Sequence, residues 1–247
     1  MINGFKRIIG GAVAIGVFGF AIYLLVIFFL PADYNFSTEP AGEPFRMNPI
    51  ISDASGTSFN IGDIGPAGGI IFFDRGYHAD GWRYLEVSPA HLAFTAHWGG
   101  FVHYSSRSNS IDLGDVRGTS EGIGTGRSNT EIIIEHALNM RWSRARYSPP
   151  TPFEGAAQLV VEFDYNGFND WFLPSKDELN LMYENLAQHG IGNFGSPLSQ
   201  GTDFYWSSTQ VRHDRAWVQN FETGQQRSDS PFSLKNREYR VRAIRAF

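Results

Sequence analysis

Seven histidines (His78, His91, His97, His103, His136, His189 and His213) are the side chains best placed for proton or metal chemistry near neutral pH. None forms an H-x-x-x-H or H-E-x-x-H pair, the spacing that puts two imidazoles on one helix face. His91, His97 and His103 fall six residues apart in a loop-rich stretch. They either converge through folding or are surface histidines. Gly118-Thr119-Ser120-Glu121-Gly122 has the letters of a nucleophile elbow. That turn needs a strand before it and a helix directly after, and both flanks here are loop-like, so no serine hydrolase is expected. Gly122, Gly124 and Gly126 lack the G-x-G-x-x-G spacing and follow no hydrophobic strand; a flexible loop is expected in place of a phosphate cradle. Cysteine is absent, which removes disulfides, thiolate metal sites and thiol nucleophiles together. No catalytic residue and no metal site are therefore expected.

Two sets of residues could hold a ligand without transforming it. Asp164, Asn166, Asn169 and Asp170 offer oxygens of the kind calcium takes, but Asn166-Gly167 and Asn169-Asp170 also read as turns. No cofactor is expected, with a structural calcium the one left open. The other set lies at the C-terminus. From Arg212 onward eight basic residues (Arg212, Arg215, Arg227, Lys235, Arg237, Arg240, Arg242, Arg245) meet four acids (Asp214, Glu222, Asp229, Glu238), an excess of four positive charges. Strand alternation puts Arg240 and Arg242 on one face, with Val241 and Ala243 on the other. Guanidinium forks suit sulfate and carboxylate because each can bind two oxygens at once. The segment is either a basic face for an acidic glycan or peptide, or a solvated face paired with nearby acids. On the first reading Arg240, Arg242, Arg215, Arg237 and Trp217 contact the ligand.

The whole chain has 247 residues and a formal charge of −5, which opposes general nucleic-acid binding. Ile8 to Leu30 is 23 residues without a charge. At about 1.5 Å of rise per residue this crosses a hydrocarbon core of about 30 Å. Lys6 and Arg7 precede it and no basic residue follows until Arg46, so residues 1–7 are expected in the cytoplasm and the rest across the membrane. The span exceeds the usual h-region of a cleaved signal, so an uncleaved anchor is expected. Residues 31–59, with Pro31, Pro40, Pro44 and Pro49, read as a stalk, although 50–59 also reads as an arm of the domain that follows.

From residue 60 to 247 short strand and helix signals alternate irregularly. Residues 69–74 and 82–87 read as a hairpin turning at Asp80-Gly81. Helices are expected over about 129–140, capped by Ser128, and over 154–164. A third begins at Ser175, whose partner Glu178 completes a capping box. Leu179, Met182, Tyr183 and Leu186 are its buried stripe and Gly190 its stop. Strands return at 204–207, 216–221 and 239–247, with a turn at Gly224. Without a βαβα rhythm the expected class is α+β with a mostly antiparallel sheet and about three helices. Trp171, Phe172, Trp206 and Trp217 are large enough to anchor its core.

Four segments together carry a resemblance: Gly62-Asp63-Ile64-Gly65-Pro66-Ala67-Gly68-Gly69; Gly124-Thr125-Gly126-Arg127-Ser128-Asn129-Thr130; Asp170-Trp171-Phe172-Leu173-Pro174-Ser175-Lys176-Asp177-Glu178-Leu179; and Tyr205-Trp206-Ser207-Ser208-Thr209 with Val241-Arg242-Ala243-Ile244-Arg245. Over about residues 60–247 the chain resembles the Lcl C-terminal-domain family, named for a collagen-like bacterial adhesin. The resemblance implies a C-type-lectin-like fold, akin to that of the formylglycine-generating enzyme. The family's best-known member is implied to bind sulfated glycosaminoglycans, often as a trimer, while most members have no assigned activity. The expectation is a non-catalytic, membrane-anchored, extracytoplasmic binding module, periplasmic or extracellular, that recognises an anionic polysaccharide or cell-surface ligand. The alternatives are an envelope protein that binds protein partners, or an enzyme of formylglycine-generating type working without cysteines.

Overall fold

The structure, a computed structural model, describes residues 58–99, 114–144, 155–195 and 203–247. The expected span 8–30 and the stalk up to residue 57 lie outside them. Among the described residues no helix is long and apolar enough to cross a membrane. Phe59, which the sequence leaves open between stalk and domain arm, sets its ring edge-on to Tyr84 and Phe247 at 5.4 and 5.6 Å.

Strands β1 (Ile70–Ala79) and β2 (Trp82–Val87) form the expected hairpin. Its turn residues Asp80 and Gly81 take φ of 53° and 82°, the left-handed pair that a tight two-residue turn requires. β1 runs to Ala79, five residues past the expected end, through irregular register after Asp74. Strand β8 (Ile244–Ala246) pairs with β2 and completes a three-stranded sheet in the order β1-β2-β8.

A second, five-stranded sheet has the order β3-β7-β4-β5-β6. It comprises β3 (Phe94–His97), β4 (Phe204–Arg212), β5 (Arg215–Asn220), β6 (Gln226–Arg227) and β7 (Glu238–Val241). Its pairs are antiparallel except β4 with β7. Gly224, at φ 78°, turns the chain between β5 and β6 as expected. One expected strand is corrected. Residues 239–247 do not run as a single strand: the chain leaves one sheet after Val241 and joins the other at Ile244.

Three helices, α1 (Gly126–Arg144), α2 (Ala156–Val161) and α3 (Lys176–Asn185), make the class α+β. Helix α1 starts before Ser128, so that residue sits inside the first turn and does not cap it; Ser128 Oγ donates to the Thr125 carbonyl. Helix α2 is shorter than the expected 154–164. Helix α3 starts where expected, with both bonds of the Ser175–Glu178 capping box formed. Leu179, Met182 and Leu186 are buried against Phe72, Leu85, Phe172 and Tyr205. After α3 a single 3-10 turn, Ala187–His189, ends at left-handed Gly190. Trp98, Trp171 and Trp206 anchor the larger core with Ile133, Ile134 and Val160. Each indole N–H meets a carbonyl: Trp98 that of Ser207 (2.7 Å), Trp171 that of Phe168 (2.9 Å), Trp206 that of Ala96 (2.9 Å). Trp217, expected in the core, is only half-buried.

Candidate functional site

The glycine-rich segments serve the interior. Glu86 is wholly buried on β2, and its carboxylate accepts from the N–H groups of Ala67 (3.4 Å) and Gly69 (3.1 Å). A Cβ on Gly65 would collide with that carboxylate, and one on Gly69 would come within 2.6 Å of the Val87 carbonyl, so close approach demands glycine at both. Arg245 of β8, also buried, bridges Glu86 (2.9 Å) and Asp170 (2.5 Å), with its guanidinium 4.2 Å from the centre of the Phe168 ring. Arg127 adds a second cation 3.6 Å from Asp170. Burial pushes the Glu86 carboxyl up, against the pull of Arg245. Asp170 thus faces two guanidiniums. Asn166-Gly167 is a left-handed turn whose amide donates to the Ala67 carbonyl.

The 118–126 loop is no nucleophile elbow, since Ser120 is not flanked by strand and helix; its N–H and C=O groups bond the Asn129 side chain. Gly124 donates to the buried Glu178 carboxyl at 2.8 Å, and Gly126 donates to it as well. This loop does cradle an anion-type group, one supplied by the protein itself.

The expected ligand-contacting arginines part company. Arg242 is corrected: it is buried, not on a surface face. It lies beyond the end of β7, where alternation no longer applies, and donates to the carbonyls of Ser88 (3.0 Å from Nε) and Gly192 (3.0 Å), under the ring of Phe194. Burial holds its guanidinium down to about 10. Lys235 is buried too, donating to the carbonyls of Gly114 (2.8 Å) and His213 (2.9 Å). Half-buried Arg240 pairs with the buried Asp203 (3.2 Å), and at the surface Arg212 pairs with Asp214 (2.5 Å) and Arg227 with Asp229 (2.7 Å). Arg215 stands 3.8 Å from Asp214. Arg237 is exposed and donates to the Pro231 carbonyl.

Lys235, Arg242 and Arg245 are inside, so five arginines of this segment remain at or near the surface, against its four acids Asp214, Glu222, Asp229 and Glu238. The apparent excess of four positive charges therefore shrinks to one at the surface. What the fold gathers is smaller. Arg215, Arg227 and Arg237 border the 229–234 segment, where Arg215 bridges to Leu234 and helps Arg227 hold the Asp229 carboxyl low. Trp217, on the same face of β5 as Arg215, lies under the Lys176 ammonium at 4.5 Å.

Sequence reasoning missed a second group. The Arg75 guanidinium sits 4.9 Å from the Tyr77 ring and 4.5 Å from the Trp82 ring, and Tyr77 is 62% exposed. Arg and aromatics at alternate positions were the available signal, obscured because β1 outruns its hydrophobic part. His91 and His97 fall in different elements, with the His91 ring 6.3 Å from Tyr165; His103 lies outside the described residues. Among the described residues no group of three His, Asp or Glu could hold a metal ion.

Residues 131–245 match the family model described as the Lcl C-terminal domain, so the resemblance stands over that span. The Asp170–Leu179, Tyr205–Thr209 and Val241–Arg245 segments fall within it, whereas the Gly62–Gly69 and Gly124–Thr130 segments precede it. No curated protein sequence matches the chain. Among solved structures, a fimbrial protein from Bacteroides ovatus ATCC 8483 is similar at 15% identity and a TM-score of 0.38, over 68% of this chain and 36% of its own. The chain thus spans about a third of that protein's length. At that TM-score the likeness fixes neither fold nor function.

Proposed function

We propose that the chain is a non-catalytic, adhesion-type binding module, held by its N-terminal span on the outer side of a membrane, with a C-type-lectin-like domain as its head. The observation that carries this reading is the match of residues 131–245 to the Lcl C-terminal domain. A second observation supports it. Glu86, Asp170 and Glu178 are buried and bonded to donors within the protein. Exposed Arg237 and Tyr77 are of residue types that hold a ligand better than they convert one. The ligand proposed is an acidic glycan or peptide on the face bearing Arg215, Arg237, Arg240 and Trp217, with Arg242 withdrawn from the set.

A glycan array probed with the chain in detergent tests this. Binding to acidic glycans that weakens in the Arg215→Ala/Arg237→Ala double variant is expected. Absent binding to every acidic glycan, or binding indifferent to that variant, would reject the face. A second reading, an envelope protein that binds other proteins or trimerises, is favoured by the Arg75, Tyr77 and Trp82 cluster, the residue types that dominate protein interfaces. Cross-linking in membranes that returned only monomer would count against the trimer.

A further inference from the structure

We draw no further inference here: the strongest candidate, the surface patch of Arg75, Tyr77 and Trp82 at the turn end of the β1–β2 hairpin, is an unpartnered face, and nothing in the structure shows what covers it.

Discussion

Replacing Arg245 with Met tests the buried charge network most directly. Methionine keeps an unbranched stem against Phe168 and Phe247 but deletes the charge. Two buried ion pairs disappear, at 2.9 Å to Glu86 and 2.5 Å to Asp170. Asp170 keeps Arg127 at 3.6 Å, whereas Glu86, wholly buried, keeps only the N–H groups of Ala67 and Gly69 among its described partners. Stranding a buried charge costs about 3–5 kcal/mol, and with one carboxylate still served a loss of about 4 kcal/mol is expected. The effect must depend on pH. Arg245 now restrains the upward shift of Glu86; without it the folded-state pKa climbs further above the unfolded value. The folded variant then takes up a proton, so acidification should recover stability, by up to about 2 kcal/mol from pH 7 to pH 5. Urea unfolding followed by the fluorescence of buried Trp98, Trp171 and Trp206 provides the measurement. The neutral triple variant Glu86→Gln/Asp170→Asn/Arg245→Met should be more stable than Arg245→Met alone. A deficit below about 1 kcal/mol at pH 7, or one unchanged at pH 5, would refute the reasoning.

Arg240→Ala should cost about 1–2 kcal/mol, since it takes a half-buried cation from the buried Asp203 carboxylate, whereas Arg242→Ala should cost about 3 kcal/mol by opening a cavity and orphaning the Ser88 and Gly192 carbonyls; thermal melts separate the two. Gly167→Ala has open space around it but a φ of 81°, so a penalty of about 1–2 kcal/mol is expected from backbone strain alone. Gly65→Ala drives a methyl into the Glu86 carboxylate and should cost about 3 kcal/mol in the same denaturant titration. Ser175→Ala removes the α3 cap and the tie to Gly122, for a loss of about 1–2 kcal/mol, visible also as faster exchange in the first turn of that helix.

These expectations separate what local sequence encodes from what it does not. The Asp80-Gly81 turn and the Ser175–Glu178 box were legible because both are settled within four residues, by left-handed backbone and by reciprocal capping. The same reading of Glu178 could not reach its bond to Gly124, 54 residues away. The glycine-rich segments announced loops but not their purpose, since the carboxyls they enclose lie elsewhere in the chain. Arg242 shows the failure most plainly. Alternation places it beside Arg240 only if the strand continues, and nothing in Val241-Arg242-Ala243-Ile244 signals that the chain crosses between sheets there. Its acceptors, Ser88 and Gly192, are 154 and 50 residues distant. A lone arginine at a strand end looks the same whether it faces water or carbonyls.

Redistributing the C-terminal charge alters what kind of recognition the head can practise. A broad positive field would steer acidic ligands from a distance and give binding that falls steeply with salt. Five arginines at or near the surface facing four acids generate little such field, and the chain as a whole is at −5. On the proposed binding face, attraction would then come at contact, from the forks of Arg215 and Arg237 meeting two oxygens each and from the half-buried Trp217 ring. Contact of that kind resists moderate salt better than a diffuse field does. Raising ionic strength from about 0.01 to 0.15 M shortens the screening length from about 30 to 8 Å, and affinity for an acidic glycan should change less than tenfold if short-range forks carry it. A hundredfold loss over that range would mean that a long-range basic surface exists after all, beyond the arginines described.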